Sequence, residues 1–315
     1  MINRRLLRIK VLHAFYAYEK RGSENLNIAE KELFHSIEKT MDLYYLLLLL
    51  MVEIVDYSES RIDLARDKRK PTDEDLNPNT KFAENWFVDE LENNLTFRDV
   101  IEKRKLTWVN NREVVRKLHQ VITSSEDYQD YMSKSTNSKE DKKFIITIFT
   151  DYIFTSEDLY QCLEEQSIYW NDDVEFTISR IIKTIKKSVP GSIPLPKMEE
   201  VFTNDDDRNF GKNLFRKAVM KHKNNKDLIG KFVENWDVDR IAMMDILIME
   251  LAITEMVEFS DIPVKVSLNE YIELAKIYSS RKSGIFINGI LDKITENLKK
   301  EKVIVKKGKG LIGEL

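Results

Sequence analysis

Between Asn79 and Val189 the chain contains no proline, and between Glu24 and Pro190 it contains no glycine. These two residue types are the strongest local punctuators of a backbone. Glycine opens positive φ, and proline removes a donor and clashes with the preceding helical turn. A long stretch without either, rich in Leu, Glu, Lys and Asp, reads as one helix after another. Strand alternation is missing except at Lys302 to Val305, which is too short to build a sheet. The fold class expected is all-α. Helices are predicted near 3–21, 27–68, 79–96, 111–123, 138–154, 156–169, 173–188, 205–222, 225–235, 238–257, 268–279 and 284–301. Two breaks interrupt them: Pro71 to Pro78 (PTDEDLNP) and Pro190 to Pro196 (PGSIPLP), the stronger linker signal.

With 315 residues, 42% hydrophobic and 33% charged, the chain has room for one large or two ordinary domains with a sizeable core. The lone Cys162 excludes an internal disulfide. His13, His35, His119 and His222 stand apart, without ligand spacing, so neither a metal site nor a cofactor is expected. The run Leu43 to Val52 (LYYLLLLLMV) looks membrane-like, but as a helix it spans only about 15 Å, half a bilayer core. It reads as a buried helix segment. The arginines at the N-terminus are not followed by an apolar region of signal-peptide length, so a cytoplasmic protein without a membrane span is expected.

The net charge of −4 hides an asymmetry. Residues 1–21 carry six Lys/Arg against one acid, and residues 281–309 carry nine against three. The remainder holds 35 basic and 50 acidic residues, a balance of −15. Should the two ends meet in the fold, they form a cationic site on an otherwise anionic protein. The alternative is a pair of frayed, solvated charge runs, and composition leaves both open. Two acidic clusters, Asp73 to Asp75 and Asp205 to Asp207, could bind metal, but acids just inside a helix start are ordinarily dipole partners. The tryptophans Trp86, Trp108, Trp170 and Trp236 read as core or element-edge packing.

Ile262 to Ile294 reads as helix, short loop, helix. Ser267 with Glu270 has the form of a capping box opening a helix with Leu268, Ile272, Ala275 and Tyr278 on its apolar face. A polar loop, Ser279 to Ser283, then separates it from a helix that gathers Ile287, Ile290, Leu291, Ile294 and Leu298 on one side. Lys282, Phe286, Gly289 and Lys293 form an adjoining stripe. Two cations, an aromatic ring and a glycine suit a single-stranded nucleic acid: phosphate neutralised, a base stacked, backbone in close approach. On the residues alone, Phe286 and Tyr278 serve equally well as core aromatics. Upstream, Val238 to Phe259 is apolar nearly all round, as a helix at the centre of a bundle must be.

These segments resemble the NusB family of bacterial transcription antitermination factors. IPVKVSLNEYIELAK and FINGILDKI are similar to its C-terminal helices, Asp237 to Met256 to its preceding helix, and NRRLLRIKVLHAFYAYE to its Arg-rich first helix. The resemblance implies a NusB-like helical bundle from residues 1–22 and 205–301, a large all-helical insertion at 23–204, and a basic tail at 302–315. It implies a non-enzymatic RNA-binding factor that reads boxA-type single-stranded RNA of nascent ribosomal RNA. Ribosomal protein NusE and the RNA polymerase antitermination complex are the implied partners. RNA-site candidates are then Arg4, Arg5, Arg8, Tyr16, Tyr278, Lys282, Phe286 and Lys293; partner-site candidates are Tyr18 and Asp245. Self-association as a homodimer stays open.

Other function classes keep a place. No P-loop, Gly-rich βα turn, nucleophile elbow or paired-His arrangement occurs, so no catalytic residue is assigned. A NusB-like domain also precedes some ribosomal RNA cytosine methyltransferases, but that reading needs a cofactor domain after the bundle. A helical protein-binding scaffold with a decayed RNA site is the third reading, sustained by the acidic middle. Arg281 and Lys282 stand where the family commonly has acids.

Overall fold

The computed structural model describes residues 2–22, 25–233 and 241–312, leaving aside the side chains of Glu199, Arg281 and Lys282. Among these residues the regular structure is helical, with isolated bridges at Ile2–Phe202 and Val189–Ser192 and no strand. The α-helices are α1 (Arg4–Arg21), α2 (Leu26–Arg66), the single turn α3 (Asp73–Leu76), α4 (Trp86–Glu92), α5 (Leu95–Arg104), α6 (Arg112–Thr123) and α7 (Glu126–Ser133). There follow α8 (Ser138–Thr147), which runs into a π-helical turn at Ile148–Ile153, α9 (Glu157–Gln166) and α10 (Val174–Lys187). The last four are α11 (Asp205–Phe232), α12 (Met243–Glu258), α13 (Val264–Tyr278) and α14 (Arg281–Lys300). The chain divides into two compact units. Unit 1 is Met1–Ile37 with Phe202–Leu315, and unit 2 is Glu38–Val201.

In unit 1, α12 is the hub. It packs against α1, α11, α13 and α14, and every residue from Asp245 to Met256 is buried. A helix surrounded on all sides must be apolar on all sides, and its few charges must find partners. Residues 238–240 of the predicted helix lie outside the described residues. On α14 the buried face is Ile287, Ile290, Leu291, Ile294 and Leu298, the set its periodicity predicts. Burial of each stabilises by about 1.5–3 kcal/mol relative to exposure.

Unit 2 is built around the apolar run in α2, where Tyr44, Tyr45, Leu47, Leu48, Leu50 and Met51 are buried. Trp108 is fully buried and donates its indole N–H to the Leu46 carbonyl at 2.9 Å. Buried Asp42 accepts two bonds from Arg104, at 2.7 and 2.9 Å, and one from Lys39 at 2.9 Å. No helix among the described residues is long and apolar enough to cross a membrane.

Several boundaries differ from the sequence expectation, for identifiable reasons. The helix predicted at 79–96 is two, because Asn85 caps α4 and Asn94 caps α5 through their side-chain oxygens. The break expected near 222–225 is absent. Asn225 instead lies inside α11, donating to the Thr254 hydroxyl at 2.9 Å. The Ser267–Glu270 capping box does not form: α13 begins four residues earlier, after Pro263, and Ser267 lies within it. Its buried face is Val264, Ser267, Tyr271, Leu274 and Ala275, so Leu268 and Ile272 are only half-buried. The loop predicted at 279–283 shrinks to Ser279 and Ser280, because Ser280 caps α14 by accepting from the Ser283 N–H. Asp73–Asp75 and Asp205–Asp207 occupy the first turns of α3 and α11, where acids complement the helix dipole.

Candidate nucleic-acid interface

The start of α1 is set by Asn3, whose side chain accepts from the Leu6 N–H at 2.8 Å. This cap aims three arginines in three directions. Arg5 is exposed, and its charge helps hold the Glu273 carboxyl of α13 below its ordinary range, after the larger effect of Lys276. Arg4 is half-buried, paired with Asp207 at 3.1 Å and stacked over Phe210 at 5.2 Å. Arg8 turns inward.

Arg8 is 3% exposed and forms a two-pronged pair with Glu255, which is 0% exposed. Nε and Nη2 donate to the two carboxylate oxygens at 2.8 and 2.7 Å. Ser267 and Tyr271 complete the shell around Glu255 at 2.8 and 2.9 Å, and Glu270 stands 3.7 Å from Arg8 Nη1. Burial opposes the charge on Arg8, but the bond and field of Glu255, with Tyr271 and Glu270, hold its pKa above the ordinary guanidinium value. This corrects the placement of Arg8 among phosphate contacts: its donors are committed inside unit 1. Arg8, Ser267 and Tyr271 together satisfy a carboxylate that would otherwise be costly at that depth.

The aromatic candidates lie farther along α1 and α13. Tyr278 meets His13 edge-on, with ring centroids 5.1 Å apart, so the end of α13 rests against the middle of α1. Tyr16 is half-buried under Lys20, whose ammonium lies 5.7 Å from the ring centroid. On α14, Phe286 is half-buried, while Gly289 and Lys293 are exposed. A Cβ added at Gly289 would meet nothing within 4 Å, so that flank of the helix is open to a ligand. The side chain of Lys282 lies outside the described residues. Of the partner-site candidates, Tyr18 is half-buried, edge-on to Phe215 at 6.3 Å. Asp245 is 4% exposed, with Oδ1 lacking a hydrogen-bond partner; it does not present its carboxylate to solvent.

The basic tail is docked rather than frayed over its described part. Lys306 Nζ donates to the Phe259 carbonyl at 2.8 Å, and the Lys307 N–H donates to the Ser260 carbonyl at 2.9 Å. Gly310 sits so close to Ser260 that an added Cβ would lie 2.0 Å from its carbonyl oxygen, a position only glycine tolerates. Arg4 lies 4.0 Å from Asp261 in the same turn. The two basic ends of the chain therefore meet at Phe259–Asp261, and no signal in either segment alone announces this.

The geometry defines a helical bundle with a mixed cationic and aromatic surface. Residues 173–296 match the NusB family model, described as the NusB family. The match runs from α10 into α14 and leaves α1 outside it. The transcription antitermination protein NusB of Salinibacter ruber is 40% identical over 106 residues, 34% of this chain and 66% of that protein. NusB of Chloroherpeton thalassium is 36% identical over 128 residues, 41% of this chain and 59% of its own length. NusB of Natranaerobius thermophilus is 49% identical over 74 residues, 24% and 53%. The matched segments thus span less than two thirds of these relatives. No solved structure matches. The chain carries a NusB-family domain in its C-terminal part.

Proposed function

We propose that this protein is a non-enzymatic transcription antitermination factor that binds boxA-type single-stranded RNA through unit 1, together with a NusE-like partner. The observation that carries the reading is the family domain at 173–296, whose last helix offers Phe286, Gly289 and Lys293 along one accessible flank. Arg5 and Tyr278 supply a cation and a ring on the neighbouring α1 and α13. Residues 1–22 act with 205–301 as the binding body, and 23–204 is an all-helical insertion. Fluorescence anisotropy with a boxA-like RNA, with and without NusE, tests this. Micromolar or tighter binding strengthened by NusE is expected. Phe286→Ala should cost about 1–3 kcal/mol of RNA affinity if a base stacks there. A sharp loss of melting temperature with unchanged RNA affinity would instead make the ring a core residue.

A second reading has one observation in its favour. Unit 2 holds a cavity of about 340 Å³ lined by Asp56, Glu59, Glu84, Asp89 and Glu92 beside Trp86, a surface suited to a basic protein segment. In that reading the insertion is a scaffold, and failure of every RNA to bind would favour it.

A further inference from the structure

Glu250, on α12, is 0% exposed, and its Oε1 has no hydrogen-bond partner. Its Oε2 lies 2.9 Å from Nδ1 of His222 on α11. The other ring nitrogen, Nε2, lies 3.2 Å from Oε2 of Glu19 on α1. One imidazole thus bridges two carboxyl groups and, through them, three helices. Phe15 closes the ring edge-on at 5.9 Å.

A neutral imidazole has one N–H and one lone pair. With both carboxyls ionised, either tautomer leaves a lone pair facing a carboxylate oxygen at hydrogen-bond distance. That contact is repulsive, most strongly on the side of Glu250, which is sealed from water. One added proton removes the conflict. Placed on Glu250, it is donated to Nδ1 while Nε2–H donates to Glu19; placed on the ring, both nitrogens donate. The two arrangements hold the same number of protons and differ only in which atom carries the shared one.

We propose that Glu19, His222 and Glu250 share one proton beyond their ordinary neutral-pH complement, and that this proton clasps α1 to α11 and α12. The inference does not depend on RNA binding. Burial first, then the charge of Glu19, push the Glu250 carboxyl up to about 9, with Lys226 of α11 acting in the opposite sense. On the other two helices packed against α12, Ser267 and Tyr271 of α13 bond to Glu255, and Thr295 of α14 bonds to Met256. In the unfolded chain the Glu250 carboxyl releases its proton near its ordinary 4.5. The folded chain keeps it longer. The contribution of Glu250 to stability is therefore fully present below its ordinary 4.5 and is lost as pH rises through about 9.

Urea unfolding of the full chain between pH 6.5 and 9.5 tests this against Glu250→Gln, whose amide donates to Nδ1 without titrating. The wild-type unfolding constant should climb with pH, by up to about tenfold per unit, and the Gln variant should lack that component. Equal slopes in the two proteins overturn the proposal. Should the variant not fold, carboxyl ¹³C and imidazole ¹⁵N resonances of Glu250 and His222 in the wild type decide. The proposal expects one of the two groups to release a proton only above pH 7.5. A Glu250 already ionised beside a neutral His222 at pH 7.5 overturns it.

Discussion

The two units handle charge in opposite ways. Unit 1 holds 27 Lys/Arg and 22 Asp/Glu, a balance of +5, and unit 2 holds 23 and 32, a balance of −9. Each buries a carboxylate deep under an arginine. In unit 1, Glu255 and Arg8 are both sealed from water, with Ser267 and Tyr271 filling the remaining acceptor sites. In unit 2, Asp42 is buried but its partner Arg104 keeps a third of its side chain in solvent, and Lys39 stands in reserve. The two carboxylates are equally buried, so it is the partner that differs: Arg104 stays partly hydrated and shares Asp42 with Lys39, whereas Arg8 and Glu255 are sealed together.

The largest expected effect is at the sealed pair. Arg8→Met should cost about 3–5 kcal/mol of unfolding free energy, since it strands Glu255. Adding Glu255→Leu should recover part of that loss. Denaturation midpoints that fall further in the double variant would contradict the account. Arg104→Met should cost less, about 1–2 kcal/mol, because Asp42 keeps Lys39 and the arginine is partly solvated. Equal losses at Arg8 and Arg104 would erase the distinction between the units.

A smaller effect concerns Asp56 in unit 2. Burial first, then the charges of Glu92, Glu53 and Glu59, raise its carboxyl to about 6 from an ordinary 3.8. The folded chain then holds a proton that the unfolded chain releases. Its contribution to stability is complete below 3.8 and disappears as pH rises through about 6. Asp56→Asn should therefore be more stable than the wild type at pH 7 and indistinguishable near pH 3.5, in unfolding curves at both. Partial solvation keeps the gain under about 1.4 kcal/mol.

The smallest effect separates the surfaces. Arg5→Ala and Lys293→Ala should each lower the slope of log affinity against log salt by about 0.7 for a single-stranded RNA. Lys117→Ala, at an exposed pair with Asp158 in unit 2, should leave the slope unchanged. A loss at Lys117 equal to that at Lys293 would mean that RNA contacts are not confined to unit 1.

What could be read from the residues was whatever is decided locally. The gap in glycine and proline is a statement about backbone freedom, and the helices follow from it. The buried face of α14 follows from spacing alone. The errors share a cause. Ser267 has the sequence of a cap, but its hydroxyl is taken by Glu255 on another helix. The stretch between 222 and 225 looks like a break, yet α11 runs through it, and Asn225 finds a partner in Thr254 on α12. Arg8 looks like a surface cation because its acid lies 247 positions away. Distant polar pairings leave no periodicity behind. The exposure of Gly289 and Lys293 on α14 follows from spacing, whereas the burial of Arg8 and Asp245 leaves no such trace.

That same separation has a meaning in time. Synthesis at about 5–20 residues per second places roughly 12–50 s between the appearance of Arg8 and that of Glu255. During that interval all of unit 2 is made, while the first helix has neither α11 nor α12 to lie against. Helix α1 is made long before the helices it packs against, and its arginines spend the wait hydrated and open to any nearby phosphate.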